Sequence, residues 1–270
     1  MQHRVGWSHH GGTWGLPGGA RHQGESAIDG ALRESNEEAG VVVSSLNLLA
    51  THVFDVGYWS YTSVLAEVTE PFEPVIGDAE SLELAWLTFE QVEGLDLHPG
   101  VARMWPALRE RLEHRAVLVV DIANVMGSRP DGWWKDRAGA AQRIVDRLAS
   151  VAHDGVPGPA LGQGLGDEWR LWPRIVAVVE GQAAGVQAPT LGSRGALEVV
   201  AARRDGDQEI VDTVSRLLAA STSSAPGDPG TSSTQVTVAT SDRGLRARVE
   251  QFGARTVGAG TLRSLVDEQH

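Results

Sequence analysis

Residues 19–41 read GARHQGESAIDGALRESNEEAGV, and the organisation of the first half of the chain follows from this stretch. Ser26 to Ala39 is typical of a helix, and Gly40 follows where positive φ is wanted. Residues three and four apart share a helix face, which groups three carboxylates: Glu34, Glu37 and Glu38. Because like charges on one face repel, the pattern favours a hard cation among them, Mg²⁺ above all. Arg33 is expected to pair with Glu37.

The spacing of this stretch resembles the Nudix box. The matching positions are Gly19, then Glu25 after five residues, Arg33-Glu34 after seven more, Glu37-Glu38, Gly40 and Val41. The residues just before the box, Trp14-Gly15-Leu16-Pro17-Gly18, are similar to those that precede it in the family. The alternative is a solvated acidic helix face without a cation.

The resemblance implies a metal-dependent pyrophosphohydrolase that cleaves nucleoside diphosphates linked to another moiety. It also implies an α/β/α sandwich around a mixed sheet, and Mg²⁺ or Mn²⁺ as the cofactor. Carboxylates at the positions of Glu34, Glu37 and Glu38 ligate the metal or act as the base in that family. Arg33 belongs to the same catalytic group, and the carbonyl of Gly18 joins the metal ligands.

Two features depart from the family pattern. Ser35 stands where an apolar residue is preferred, so packing beneath the helix is expected to be looser. Only some dozen residues precede the box approach, where the family has about two strands. We therefore expect a domain that lacks its opening strands, and an exposed sheet edge that favours homo-oligomers.

The segment after the box is predicted to form strands at 46–54 and 58–68, and a further strand at 84–87. The acidic loop before the last of these offers Glu80 and Glu83, because the resembled family often takes another metal-binding or base carboxylate from this region. A solvated loop is the alternative. A helix is predicted at 101–114, with one face formed by Val101, Met104, Leu108 and Leu112.

Length and charge indicate two domains. The 270 residues are enough for two cores, expected at 1–114 and 115–270. Of the net charge of −12, residues 1–114 carry −11, so only the second half is suited to hold RNA. No apolar run reaches the ~18 residues of a membrane span. Cysteine is absent and no signal peptide is recognisable, so a cytoplasmic protein is expected.

The second half repeats one arrangement, a predicted strand with an acid just beyond it. The apolar run 116–120 leads to Asp121, and later runs lead to Glu180, Asp207 and Asp242. In a parallel sheet these strand ends face one crevice, where carboxylates typically hold metal ions for phosphodiester hydrolysis. A helix is predicted at 133–153 and a Gly/Pro-rich loop at 155–166. Residues 221–234, STSSAPGDPGTSST, form a low-complexity insert within this domain.

The order of these acids resembles the PIN-like nucleases and their NYN branch. The resemblance implies a Rossmann-like parallel sheet and RNA hydrolysis with metals held by Asp121, Glu180, Asp207 and Asp242. Asp121 and Asp242 are the catalytic candidates. Gln208 stands where the branch often has another acid, which predicts weak metal affinity. A generic Rossmann-like binding domain is the alternative.

Two further residues are candidates for substrate contacts. Asn124 is expected to hold the first carboxylate or the scissile phosphate, or else to cap a loop. Arg243 is expected to face a phosphate, or else to be a solvated arginine at a helix start. The whole chain is thus interpreted as a Nudix-type hydrolase of nucleotide-like small molecules fused to a ribonuclease. The alternative is a non-catalytic Nudix-like module that binds a nucleotide or a partner and regulates the second domain.

Overall fold

The computed structural model describes residues 1–191, 195–222 and 232–267. Most of the predicted insert 221–234 lies outside these ranges. The chain divides into two compact units. Unit 1 comprises Met1–Asn47 and His52–Leu112, and unit 2 comprises Leu48–Thr51 and Glu113–His270.

Unit 1 contains an antiparallel sheet of three short strands: β1 (Gln2–Arg4), β2 (Trp14–Gly15) and, later in the chain, β5 (Ser81–Leu84), in the order β2-β1-β5. Two short strands therefore precede the box, contrary to the expectation of a domain without opening strands, because segments as short as two or three residues are enough to pair here. The strand predicted at 84–87 is wrong in position. Gln2 pairs with Leu84, so the ladder to β1 runs from there towards Ser81 and not onward to Leu87.

Two longer strands follow the box, β3 (Leu46–Asp55) and β4 (Ser60–Val68), and they are neighbours in a second sheet. They confirm the predictions at 46–54 and 58–68. Alternating buried positions, such as Leu48 and Ala50 in β3, are typical of strands with one covered face.

Helix α1 (Ala27–Ala39) confirms the predicted box helix, and both ends are capped. The Ser26 hydroxyl accepts a hydrogen bond from the Asp29 amide at 3.1 Å. Gly40 ends the helix with φ of 64°, and its N–H bonds to the last turn. Packing explains the glycine in mid-helix at position 30, because a Cβ there would lie 3.1 Å from both Arg21 and Glu25.

Two helices complete unit 1, α2 (Phe89–Glu93) and α3 (Pro99–Leu112). Thr88 and Gln91 form a capping box at the start of α2. Pro99 occupies the first position of α3, where its missing N–H is not needed. The buried face of α3 carries the predicted apolar residues Val101, Met104 and Leu108.

Unit 2 is built on five parallel strands. They are β6 (His114–Asp121), β9 (Arg174–Val179), β10 (Ala196–Ala201), β11 (Ser233–Ala239) and β12 (Arg255–Val257). Their order in the sheet is β10-β9-β6-β11-β12. The central strands are continuous buried runs, as expected for a sheet covered on both faces. The predicted parallel sheet is therefore present, and its PIN/NYN assignment stays a prediction.

Helices follow or connect these strands: α4 (Ile122–Gly127), α5 (Arg137–Asp154), α6 (Gly206–Thr222), α7 (Arg243–Glu250) and α8 (Ala259–Asp267). The helix predicted at 133–153 is wrong at its start. Trp133–Lys135 is a short 3-10 turn, and Asp136 then caps α5 by accepting from the Gly139 amide at 2.9 Å. The predicted loop 155–166 contains the short strand β7 (Val156–Pro157), which pairs antiparallel with β8 (Trp169–Leu171).

The strand order places a topological switch point between β6 and β11. Chain connections leave in opposite directions there, which opens a crevice beyond the carboxyl ends of the strands. Asp121 ends β6, and Thr240–Asp242 follow β11 at this crevice. Within the described part of the chain, no helix combines the length and apolar character needed to cross a membrane.

Candidate active site

Arg33 organises the carboxylates of the box. Its Nε and Nη2 donate to both oxygens of Glu25, at 2.9 and 3.0 Å. Its Nη1 donates to Glu34 at 2.8 Å and to Glu37 at 3.1 Å, which confirms the predicted pairing with Glu37. The hydrogen bonds from Arg33 lower the pKa of Glu25 to about 2. One guanidinium thus fixes three carboxylates relative to α1.

Glu38 lies on the other side of this group and is half-buried. Its Oε2 accepts from the Gly18 amide at 3.0 Å and from Gln2 Nε2 at 3.3 Å. Burial raises the pKa of Glu38, and the negative charges of Asp78 and Glu34 raise it further. Within the described ranges, the ionised form of this carboxylate has no cationic partner at salt-bridge distance.

Glycine at position 19 allows Glu34 to approach the box loop. A Cβ on Gly19 would lie 2.7 Å from the carboxylate of Glu34. Across the same loop, the Tyr61 hydroxyl would lie 3.6 Å from a Cβ on Gly18. Burial raises the pKa of Tyr61, and Glu38 adds to the rise. The predicted residues Gly18, Glu34 and Glu38 therefore lie at one loop, and their role as metal ligands stays a prediction.

Three residues of this site were missed from the sequence. Glu25 belongs to the box pattern, but its role in holding Arg33 was not foreseen. Asp78 belongs to the acidic loop after β4, where Glu80 and Glu83 were the expected candidates. Glu80 instead pairs with Arg4 at 3.3 Å. Gln2, which bonds to Glu38 and to Ser81, carries no sequence signal that would have identified it.

A cavity of about 980 Å³ lies beside the box in unit 1. Gly18 and Gly19 line one part of it, and Ser35 contributes from α1. The Ser35 hydroxyl donates to the Leu32 carbonyl of its own helix at 2.9 Å. Aromatic side chains also line the cavity: Trp59, Tyr61, Phe72, Trp86 and Trp105.

The chemistry of the box fits a divalent cation. Carboxylate oxygens are hard ligands, and the adjacent negative charges of Glu38, Glu34 and Asp78 would be offset by a bound Mg²⁺ or Mn²⁺. Among the described residues, no three carboxylates of unit 1 bring their ligand atoms within 4.8 Å of one another. Coulomb repulsion between like charges favours this spread.

A second acidic site lies at the switch point of unit 2. Asp121, Glu180, Asp207 and Asp242 line one cavity of about 670 Å³, as does Asn124. Burial raises the pKa of Asp121, and burial and then Asp242 raise that of Asp207. In the described part of unit 2, as in unit 1, no three of these acids have ligand atoms within 4.8 Å.

Local hydrogen bonds hold these acids at the strand ends. Asp121 accepts from the Asn124 amide at 3.0 Å and from the buried Thr240 hydroxyl at 2.9 Å. Glu180 accepts from the Gly206 amide at 3.0 Å. Asp242 caps α7 by accepting from the Leu245 amide at 2.8 Å. The caps explain why acids stand at these positions even without a metal.

The two predicted substrate contacts fare differently. Asn124 lines the cavity, but its side-chain oxygen accepts from the Ser241 amide at 2.8 Å and so joins the two loops of the crevice. It does not hold the Asp121 carboxylate through its side chain. Arg243 is exposed at the start of α7 and is not among the residues that line the cavity. Gln208 bonds to Asp212 and accepts from Arg248.

Comparison with known proteins identifies the first unit. Residues 1–110 match the family model described as NUDIX domain. "Putative 8-oxo-dGTP diphosphatase 3" of Mycobacterium tuberculosis (strain ATCC 25618 / H37Rv) is 46% identical over 115 residues, covering 40% of this chain and 52% of that protein. A "Nucleoside triphosphate pyrophosphatase/Nudix hydrolase fusion protein" of Bifidobacterium longum (strain NCC 2705) is 42% identical over 118 residues, 43% of this chain and 24% of that one.

Solved structures give two further likenesses. A Nudix hydrolase from M. smegmatis, RenU, is 43% identical, with a TM-score of 0.38 over 40% of this chain and 71% of its own. Rae1 (YacP) from Bacillus subtilis is 18% identical, with a TM-score of 0.36 over 57% of this chain and 74% of its own. So distant a likeness indicates nothing about activity. The chain spans about half the length of the M. tuberculosis relative and about a quarter of the B. longum one.

Proposed function

We propose that the N-terminal region, which is a Nudix domain, hydrolyses a phosphoanhydride bond of a nucleotide-type small molecule with the help of Mg²⁺ or Mn²⁺. The observation that carries this proposal is the box itself. Arg33 fixes Glu34 and Glu37 on α1, while Glu38 is half-buried beside Gly18 with like charges around it. Such an arrangement is unfavourable by itself and suits a dication.

Glu34 and Glu38 would hold the cation together with the Gly18 carbonyl, and Glu37, the remaining carboxylate of the set that the box implies, would act as the base. When bound, the cation offsets the charge of the phosphates and of the leaving group. Water adds to one phosphorus, the bridging P–O bond breaks, and the departing phosphate takes the electron pair. Glu37 is the carboxylate best placed to take the proton of the water, because Arg33 orients it and its side chain is 57% exposed.

A nucleotide-type substrate is proposed on two grounds. Two relatives are named for nucleotides, 8-oxo-dGTP in one and nucleoside triphosphates in the other. The cavity beside the box is lined by aromatic side chains, including Trp59 and Trp86, which suit a planar base. We propose the same class of substrate for the whole protein.

The test is Glu38→Gln in the full chain, assayed against nucleoside triphosphates, oxidised nucleotides and nucleoside diphosphate conjugates with Mg²⁺. We expect wild-type hydrolysis and a loss of at least ~10- to 100-fold in the variant, because the metal site is disturbed. Glu70→Gln changes an exposed acid on the same unit and is expected to keep wild-type activity. Equal rates for Glu38→Gln and wild type would refute the proposal.

We propose, as a second function, that unit 2 cleaves single-stranded RNA with a divalent metal. The supporting observation is that Asp121, Glu180, Asp207 and Asp242 line one cavity at the switch point of the sheet. Four acids at such a place are typical of metal-dependent phosphodiester hydrolysis. Asp121 and Asp242 are proposed as catalytic residues.

Asp121→Asn should stop cleavage of single-stranded RNA in Mn²⁺, and Asp154→Asn, an exposed acid at the end of α5, should not. Both variants are to be checked by circular dichroism, because Asp121 also caps α4. An absence of cleavage by wild type at millimolar Mn²⁺ would leave a Rossmann-like binding domain. The Nudix domain could then act as a regulatory module.

A further inference from the structure

Three histidines of unit 1 come together away from the acids of the box. His9 and His10 lie in the loop between β1 and β2, and His98 directly precedes α3. Their ring centroids are 4.2 Å apart for His9 and His10, 4.8 Å for His10 and His98, and 5.9 Å for His9 and His98. Each ring offers a nitrogen within 4.8 Å of the others.

The backbone holds this trio in place. The His98 amide donates to the Trp14 carbonyl at 2.8 Å, and the Trp14 amide donates to Asp96 at 2.8 Å, which ties the start of α3 to β2. On the other side, the Thr13 hydroxyl donates to the His10 carbonyl at 2.7 Å, and Arg4 Nε donates to the His9 carbonyl at 3.3 Å. The three rings therefore meet because two separate segments are fixed against each other.

His10 has an unusual backbone conformation. Its φ is 52°, and no other non-glycine residue in the described ranges has positive φ. This region is unfavourable for a residue with a Cβ, and such residues are found preferentially at functional sites. The conformation turns the chain so that His9 and His10, adjacent in sequence, can both face His98.

We propose that His9, His10 and His98 form a binding site for a divalent transition metal ion, Zn²⁺ in the first place. Imidazole nitrogens suit Zn²⁺, whereas Mg²⁺ prefers the carboxylate oxygens of the box. Three histidine ligands leave a fourth position for water or another ligand. In a tetrahedral Zn²⁺ site the nitrogens are ~3.3 Å apart, and His9 and His10 are exposed and have room to close that distance.

Two features of the surroundings bear on binding. The nearby charge of Arg4 opposes a cation, but Arg4 pairs with Glu80 at 3.3 Å. His98 Nδ1 accepts a hydrogen bond from the Gly100 amide at 3.1 Å, which places the ring proton on Nε2. Coordination through Nε2 moves that proton to Nδ1, and coordination through Nδ1 replaces the bond directly. In both cases the Gly100 bond is lost and the neutral ring releases no proton.

The test is a Zn²⁺ titration of the full chain without an affinity tag, at pH 7.5 after chelator treatment. Excess Mg²⁺ in the buffer occupies the carboxylates. We expect one Zn²⁺ per chain, the visible spectrum of four-coordinate Co²⁺ on cobalt substitution, and a large shift of the Gly100 amide signal in NMR. His10→Asn keeps a residue that tolerates positive φ and removes the imidazole, so affinity should fall at least ~10-fold.

His98→Asn should weaken binding to a similar extent. His153→Asn removes an exposed histidine of unit 2 and should leave the affinity unchanged. The proposal is overturned if wild type binds no Zn²⁺ in the presence of Mg²⁺, or if His10→Asn, with its nucleotide hydrolysis intact, binds as wild type does. The cobalt spectrum of wild type alone decides the case if the variants do not fold.

Discussion

At the scale of single residues, Glu38 shows most clearly how a group that suits the proposed activity lowers the stability of the fold. The carboxylate is half-buried and lies near Asp78 and Glu34, and none of the residues that the structure describes forms a salt bridge with it. A carboxyl whose pKa is raised in the folded state destabilises the fold once it ionises. A residue kept under that condition is expected to serve binding or catalysis rather than packing.

Glu38→Gln should therefore stabilise the protein in the absence of divalent metal. Below the ordinary pKa of glutamate the carboxyl is protonated in both folded and unfolded chains, so wild type and variant should be alike. As pH rises through the raised folded pKa, wild type loses stability and the variant does not. Thermal unfolding in chelator at pH 4 and pH 7 measures this.

The variant should melt at a higher temperature than wild type at pH 7 and at the same temperature at pH 4. Addition of Mg²⁺ should raise the melting temperature of wild type more than that of the variant. Glu70→Gln, the exposed control, should behave as wild type at both values. A variant less stable than wild type at pH 7 in chelator would contradict the burial argument.

At the scale of elements, α1 carries the carboxylates of the box and also a small polar residue, Ser35, in the wall of the cavity. Ser35 lines the cavity of about 980 Å³, and its hydroxyl is engaged with the carbonyl of its own helix. The helix thus packs a small polar side chain where a larger apolar one would fit. Ser35 thus contributes a small polar group to the wall of this cavity.

Ser35→Leu should stabilise unit 1, because the added side chain buries apolar area in the cavity, whose wall includes Leu65 and Leu108. A gain of about 1 kcal/mol is expected, part of the ~1.5–3 kcal/mol for full burial of such a side chain. Ser35→Ala removes the hydroxyl without filling the space and separates the two effects. Thermal or urea unfolding measures both. Equal stability of Ser35→Leu and Ser35→Ala would show that the space is not available for filling.

The same scale shows which parts of the fold could be predicted. α1 was predicted to within a residue at its start, because its caps are local sequence features. The buried strands of unit 2 were close to their predicted positions, since short apolar runs bounded by acids have few alternatives. β5 was displaced, because its end depends on pairing with β1 in a distant part of the chain. The start of α5 was predicted too early, because Asp136 caps the helix and residues 133–135 before it form a separate 3-10 turn.

The candidate sites follow the same division. Box residues at helical spacing were brought together as predicted. Gln2, Asp78 and Thr240 were not identified as site residues, because their contacts depend on which strands become neighbours. The phosphate contact of Arg243 was predicted only from its position after Asp242. At the start of a helix a side chain can point in several directions, so the sequence does not determine whether it faces the cavity.

At the scale of the whole molecule, the two acidic sites belong to different units and should be separable. Asp121→Asn should abolish RNA cleavage and leave nucleotide hydrolysis unchanged, and Glu38→Gln should do the reverse. The two assays on one preparation of full chain measure this. Wild type that hydrolyses no nucleotide, while nucleotides change its RNA cleavage, would support the regulatory module instead.

The central claim is that the N-terminal region cuts a phosphoanhydride bond with a divalent cation at the Glu34 and Glu38 carboxylates. Phosphorus NMR of the full chain with a nucleoside triphosphate tests it most directly, because the spectrum shows which bond breaks. With Mg²⁺ we predict that the triphosphate signals give way to those of pyrophosphate and a nucleoside monophosphate. Chelator or Glu38→Gln should leave the triphosphate intact. Unchanged triphosphate with Mg²⁺ across the nucleotide panel, or equal cleavage in chelator, would contradict the claim.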